Sequence, residues 1–438
     1  MVRRGIIVLS VHFLWAVSCP AADLSSSDFD FTGTVDLPRL RAYTLANNPE
    51  IQAMEQRWRG AQARPSQEGS LPDPMINMAY HNESFSRFTQ GSGDFSFLRF
   101  GAEQEVPFPG KLALREARAV REAEREGALY RAALLNVLTR LRIAYNDYYL
   151  AHKSIEIVHN NKEILEKLTR AAKARYEVGE GLQQDVARAE VELSILVGRL
   201  TSLERVRQSA MATLNAALNR PPAAPLGVPA PLEKRPLTYS LDQLGSLAKE
   251  QSPNLQAAEL GVARSETNLA LAKRQYYPDF VLRADYFNKA ALVPEWEVGV
   301  GVRVPLYFWR KQAYGVREAA AGVGEARASR QSTSQDILAR LKDLYAQATS
   351  ADRLVELYGE VVRPQAEIAL ASASAAYQVG KVDFLSVLNS FTVLNDYRLR
   401  YYEELANFDK AVAQLEEAAG LPPEESLEDT MRGAHEHK

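Results

Sequence analysis

Hydrophobic positions along this chain follow two rhythms. Over most of the length apolar side chains recur at i, i+3, i+4 and i+7, as in Leu134, Val137, Leu138, Leu141, Tyr145, Tyr148 and Tyr149. That is the stripe of a helix packed along one face, and it reads as helix packing rather than a cofactor box. In four short windows the period changes to two. Trp296, Val298, Val300, Val302 and Val304 alternate with Glu295, Glu297, Gly299, Gly301 and Arg303, and Phe280, Leu282, Ala284 and Tyr286 oppose Arg283 and Asp285. Earlier, Ile76, Met78 and Tyr80 oppose Asn77, Ala79 and His81, while Leu98, Phe100, Ala102 and Val106 oppose Arg99, Gly101, Glu103 and Glu105, with Gln104 the departure. Each window is a strand with one apolar and one polar face.

The windows belong to a duplicated unit. Asn48-Pro49-Glu50-Ile51-Gln52-Ala53 recurs as Ser252-Pro253-Asn254-Leu255-Gln256-Ala257, and Leu71-Pro72-Asp73-Pro74 as Tyr277-Pro278-Asp279-Phe280. Glu105-Val106-Pro107-Phe108 recurs as Arg303-Val304-Pro305-Leu306, and Tyr176-Glu177-Val178-Gly179 as Tyr377-Gln378-Val379-Gly380. Order and spacing are kept at an offset of roughly 200 residues. Each copy predicts a helix, two strands, a very long helix, a tight turn and a returning helix. The first copy spans 37–222, with strands at 74–83 and 95–106 and a helical hairpin at 111–219. A Pro-rich linker, 223–238, leads to the second copy at 239–420, with strands at 279–287 and 295–305 and a hairpin at 310–420, followed by a polar tail, 421–438. From Leu112 to Tyr176 there is no proline and Gly127 is the single glycine, which predicts a rod of about 100 Å at 1.5 Å per residue. Its counterpart is interrupted by glycines near its start and by Gly359 and Pro364.

The fold class is therefore mainly α with a small β part. Alternation alone also fits a half-buried sheet in a soluble sandwich. Strands long enough for a tilted membrane span, aromatic residues at strand ends, a charged opposite face and long loops at 82–94 and 287–294 favour a membrane barrel. Four strands cannot close one, since open edges in lipid would leave backbone groups unsatisfied. Two chains would supply eight strands with a filled interior, and three would supply twelve with room for water. A homotrimer would make a 12-stranded β-barrel continued by an α-helical tunnel about 100 Å long.

Composition changes the compartment more than the fold. The 438 residues, 46% hydrophobic and 24% charged with net charge −3, would by length alone suggest two or three globular domains. The duplication replaces that picture. No basic excess points to nucleic acid, and no run of 18 apolar residues follows the first twenty positions. Residues 1–22 read as an export signal: Arg3 and Arg4, an apolar stretch from Gly5 to Val17, then small residues. Two processing sites compete. Ala16-Val17-Ser18-Cys19 resembles a lipobox in which Cys19, the sole cysteine, is the lipid attachment point and mature N-terminus, whereas Pro20-Ala21-Ala22 is a conventional site. Six histidines and one cysteine leave little material for a catalytic or metal centre, and no cofactor, catalytic residue or metal site is expected. Met75, Met78 and His81 do not form one site, because alternation puts Met78 on the apolar side and His81 on the polar side. His435 and His437 lie in the polar tail.

With twin strand pairs, twin long hairpins and the two Tyr-x-x-Gly turns, the chain resembles a TolC-family outer-membrane efflux protein over essentially its whole mature length. Leu71-Pro72-Asp73-Pro74-Met75 and Val106-Pro107-Phe108-Pro109-Gly110-Lys111 look most like the heavy-metal efflux branch. The resemblance implies a trimeric conduit in outer-membrane lipid that engages a periplasmic adaptor and an inner-membrane pump of the RND type. It implies that the adaptor grips the turns at Tyr176, Gly179, Tyr377 and Gly380. It also implies acidic rings narrowing the tunnel, commonly six and nine residues after the second glycine. Those positions are Ser386 and Asn389, both uncharged, while Asp185 is the first-copy equivalent of Ser386 and Asp383 lies nearer the turn. The remaining alternatives are a periplasmic coiled-coil adaptor or structural rod, and a channel for type I protein secretion or drug efflux.

Overall fold

The computed structural model describes residues 31–90 and 94–422. The proposed signal, Cys19, His435 and His437 lie outside the described residues. Where one helix is expected ahead of each strand pair, two occur. Helix α1 (Leu37–Asn47) stops because Pro49 drives its predecessor out of helical conformation. Asn48 is extended, and its side-chain oxygen accepts from the N–H groups of Glu50 and Ile51 at 2.9 and 3.3 Å, starting α2 (Pro49–Gly69). The second half breaks at Ser252-Pro253, between α5 (Leu241–Gln251) and α6 (Pro253–Arg274).

Strands β1 (Met75–His81), β2 (Phe97–Val106), β3 (Asp279–Asn288) and β4 (Glu295–Arg303) form one antiparallel sheet in chain order. The register puts Met78, Phe100, Tyr286 and Trp296 in one row and Ile76, Ala102, Ala284 and Val298 in the next, on one face. Ile76 is 82% and Trp296 77% exposed. A soluble sandwich would bury this face as its core, so the sheet of a single chain is not half of one. On the opposite face Arg283 pairs with Glu103 at 2.9 Å, Arg303 with Glu105 at 2.7 Å, and Arg99 approaches Asp285 at 3.6 Å. Gln104, on the apolar face, donates its amide to the carbonyls of Pro72 and Glu105 at 2.7 and 2.9 Å, which satisfies it without solvent.

Helix α3 (Lys111–Glu177) runs 67 residues and returns as α4 (Gln183–Ala217). The second rod is α7 (Gln312–Glu356), a π-helical segment at Leu357–Val362, and α8 (Arg363–Gln378), returning as α9 (Phe384–Ala419). Gly359 and Pro364 thus do not end the rod. A π turn widens the helix where Pro364 offers no N–H, and at Gly359 an added Cβ would sit 2.9 Å from the Tyr401 ring. No described helix is long and apolar enough to cross a membrane.

Each strand continues into its own helix, so the sheet order recurs in the helices: α2 lies beside α3, α3 beside α6, and α6 beside α7. Farther along, α3 lies against α4 and α9. Its apolar stripe packs against more than helices. Tyr145 donates to the carbonyls of Val35 and Ala230 at 3.2 and 3.1 Å, and Tyr148 to those of Leu226 and Gly227 at 3.1 and 3.0 Å. The Pro-rich linker is therefore tied to the middle of α3.

Near that level one buried ion network joins the two halves. Arg142 of α3 donates through Nε and Nη2 to both carboxylate oxygens of Asp409 on α9, at 2.9 and 2.5 Å, and through Nη1 to Glu416 at 2.9 Å. Asn146 adds a donor to Asp409 at 2.7 Å. Burial alone would raise the Asp409 pKa, but the Arg142 hydrogen bonds and charge, with Asn146, hold it below the ordinary carboxylate range. A depressed carboxylate contributes stability that is present above its unfolded value and lost as pH falls through the folded one. Replacing Asp409 by Asn should lower the melting temperature at pH 7, and the gap to the unaltered protein should shrink as pH drops below about 4. Arg142→Met, which strands the carboxylate, should cost about 3–5 kcal/mol at pH 7. Melting curves followed by helical circular dichroism at several pH values check both, and a gap that stays constant into acid would contradict the first.

Candidate docking tip and tunnel constriction

Both long hairpins turn with the same backbone. At the first, Gly179 has φ +77°, its N–H donates to the Tyr176 carbonyl at 3.0 Å, and the N–H groups of Glu180 and Gly181 both reach the Arg175 carbonyl at 2.9 Å. At the second, Gly380 has φ +72°, its N–H donates to Tyr377 at 3.0 Å, and Lys381 donates to Ala376 at 2.9 Å. A left-handed residue after a helix closes the orphan carbonyls, and glycine adopts it without a Cβ clash.

The side chains differ between the two turns. Tyr176 is 47% exposed, whereas Tyr377 is 4% exposed and sets its ring against Phe384 at 5.6 Å. Arg175 bridges the hairpins: its guanidinium lies 4.9 Å from the Tyr377 ring centre, hydrogen-bonds the Tyr377 carbonyl and reaches the Glu180 carbonyl at 3.3 Å. The Tyr377 hydroxyl is buried without a hydrogen-bond partner. Burial and the nearby Asp185 charge push its pKa up, against the opposing Arg175 charge. Tyr377, Arg175 and Asp185 thus form one cluster between the hairpins, and Tyr176 stands outside it. Exposed Val178 and Val379 cap the two turns.

Of the three constriction positions, half-buried Asp185 stands in the first turn of α4, within electrostatic reach of Tyr377. Ser386 and Asn389 lie on the exposed face of α9. Ser386 is engaged by Asp383, whose carboxylate accepts from its hydroxyl at 2.5 Å and its N–H at 3.0 Å. These bonds cap α9 and hold the exposed Asp383 carboxyl below its usual range. Arg175 is the tip residue that sequence reasoning missed. Comparing the copies offered a signal, because uncharged Ala376 stands at its repeat position. Met75 and His81 share the charged face of β1 and Met78 the apolar face. Among the described residues no group of three or more His, Cys, Asp or Glu side chains could hold a metal ion.

The profile of the family described as "Outer membrane efflux protein" matches residues 40–220 and again 244–421. The chain is 24% identical over 262 residues to outer membrane efflux protein BepC of Brucella suis, a match covering 58% of this chain and 57% of that protein. It is 24% identical over 332 residues to cobalt-zinc-cadmium resistance protein CzcC of Cupriavidus metallidurans, covering 72% of this chain and 76% of that one. Among solved structures, the outer membrane protein VceC of Vibrio cholerae superposes with a TM-score of 0.75 at 20% identity, over 88% of this chain and 96% of that one. CusC does so with a TM-score of 0.75 at 14% identity, over 90% and 96%. These likenesses show the fold.

The tip geometry ranks its substitutions. Gly179→Ala and Gly380→Ala each force a Cβ into left-handed backbone, at about 1 kcal/mol, but only at Gly380 would that Cβ meet the Arg175 guanidinium, 3.2 Å away. Gly380→Ala should therefore speed amide exchange at its turn more than Gly179→Ala does at the other. Arg175→Ala should speed exchange at both turns, measured by hydrogen–deuterium exchange. A rise confined to the first turn would show that Arg175 does not couple them.

Proposed function

The chain belongs to the outer membrane efflux protein family, and from that premise we propose that it is the outer-membrane conduit of a tripartite efflux system. Three copies close one twelve-stranded barrel in the outer membrane, and their helices continue it as a tunnel through the periplasm. The observation that carries this is the open four-stranded sheet, apolar and uncovered on one face and charged on the other. Such a sheet suits lipid outside and water inside, and its edges need further copies. The duplicated halves make each chain contribute two equivalent strand pairs and two equivalent hairpins. Passage is passive: the conduit supplies a wet, charged wall, and an inner-membrane pump of the RND type supplies the work.

The hairpin turns meet the periplasmic adaptor. Exposed Tyr176, Val178 and Val379 offer the contact surface, while Gly179, Gly380 and buried Tyr377 set its shape. Asp185 forms the acidic ring of the constriction in three copies and draws cations into the tunnel from the pump side, and uncharged Ser386 and Asn389 widen the passage beside it. The likeness to CzcC, named for cobalt, zinc and cadmium resistance, together with the Leu71–Met75 and Val106–Lys111 motifs, favours heavy-metal cations as cargo. Residues 1–22 direct export, and Cys19 carries the lipid anchor when the lipobox is used.

Burial of Tyr377 makes it a poor probe of docking, because its loss disturbs packing. Val178→Asp combined with Val379→Asp changes only exposed positions. In cells lacking the native gene, this variant should leave the trimer in the outer membrane at normal abundance and reduce metal resistance to the level of the deletion. Resistance that persists with an intact trimer would remove these turns from adaptor contact.

A further inference from the structure

The two copies pass from strand to long helix in different ways. Val106-Pro107-Phe108 answers to Val304-Pro305-Leu306, but two residues, Pro109 and Gly110, then lead into α3, whereas five, Tyr307 to Lys311, lead into α7. The longer passage is a fixed turn. The N–H groups of Arg310 and Lys311 donate to the Tyr307 carbonyl at 3.0 and 2.9 Å, and that of Ala313 to the Phe308 carbonyl at 2.9 Å. Because the first copy makes its passage with a proline and a glycine, the side chains added in the second are not needed to fold it.

Those side chains are aromatic and basic. Tyr307 is 70% and Trp309 57% exposed. Their rings meet at 6.1 Å, Trp309 meets Phe308 at 5.2 Å, and Phe308 reaches Tyr276, just ahead of β3, at 6.4 Å. This band lies at the helical end of the sheet, where the exposed apolar row of Val298, Val300, Val302 and Val304 runs out. Past the band come Arg310, Lys311 and Arg317, all exposed, with the Arg317 guanidinium 5.1 Å from the Tyr314 ring centre. No Asp or Glu occurs from Val304 to Arg317, and none of the three cations has a carboxylate partner among the described residues. At this end of the sheet Asp279 is held by Lys111 at 2.8 Å and Glu105 by Arg303 at 2.7 Å. In the first copy, by contrast, Lys111 is buried and Arg118 is answered by Glu68 at 3.4 Å. The cation excess therefore belongs to the second junction. An apolar row, an amphipathic aromatic band and then uncompensated cations follow the order of a lipid leaflet, from acyl chains through glycerol esters to phosphate.

We propose that the β4–α7 junction binds an anionic phospholipid of the periplasmic leaflet. Its acyl chains lie along Val302 and Val304, Tyr307 and Trp309 stand at the ester level, and Arg310, Lys311 and Arg317 hold the headgroup phosphate. An acidic protein segment would use the cations but not the unbroken apolar surface that leads up to them, and free phosphate would use neither the surface nor the aromatic band. The site rests on the barrel reading above and gives one part of it a ligand.

Quenching by brominated lipids tests it in the mature protein reconstituted into bilayers. Trp15 is lost with the signal, so Trp58→Phe with Trp296→Phe leaves Trp309 alone, and Trp58→Phe with Trp309→Phe leaves Trp296 alone. Trp309 should bind brominated phosphatidylglycerol over brominated phosphatidylcholine by at least about fivefold, the preference that one basic side chain near an anionic headgroup supplies. Trp296 should be quenched equally by both. Arg310→Gln with Lys311→Gln and Arg317→Gln should bring the Trp309 ratio to one while quenching persists, and inorganic phosphate at constant ionic strength should leave the ratio of the unaltered junction unchanged. If Trp296 is quenched but Trp309 is not, or Trp309 shows no preference, or phosphate abolishes it, the phospholipid site is overturned and the barrel reading stands. If neither lipid quenches Trp296, both are overturned.

Discussion

Backbone N–H and C=O groups along the outer sides of β1 and β4 face no further strand among the described residues, and hydrocarbon offers no partner. Most other features of the molecule answer to that constraint. The apolar face of the sheet cannot be sunk into lipid while the edges stay open, and helices cannot cover the edges because each strand runs directly into its own helix. The free edges of the helical layer, α2 and α7, accordingly fall on the same sides as β1 and β4. A further copy of the same chain, placed side by side, would satisfy the sheet and the helices together.

The long rods then require internal stiffness without a globular core. One device is the buried network of Arg142, Asp409, Glu416 and Asn146, which fastens the first half to the second near the level where the linker crosses α3. Paired and hydrogen-bonded charges tolerate such burial, whereas a single one would not. A second device is Arg175, which ties the two turns at the far end. The hairpins are alike in backbone and unlike in side chain, with Tyr176 turned outward and Tyr377 packed inward. Duplication produced the symmetric frame, and substitution within one copy produced an asymmetric tip.

Much of this was legible from the residues. Alternation from Trp296 to Val304 assigned faces that the register reproduces, because period-two patterning follows directly from strand geometry. The absence of proline between Leu112 and Tyr176 marked an unbroken rod. The breaks at Asn48-Pro49 and Ser252-Pro253 coincide with a repeat landmark, since a proline drives the residue before it out of helical conformation. Gly359 and Pro364 looked like interruptions, but a π turn lets the helix pass where Pro364 offers no N–H. The tip was least legible. Burial of Tyr377 and the reach of Arg175 depend on how two hairpins distant in sequence pack together, and helical periodicity within either one does not encode that contact.

Amide hydrogen exchange of β1 and β4 in native outer membranes tests the central constraint most directly. An edge strand leaves every second amide unbonded, so a sheet that ends at β1 and β4 would show fast exchange at alternate residues along both of them. Closure between copies predicts protection at successive residues along both, comparable to that of β2 and β3. Alternating protection in membranes would contradict the account.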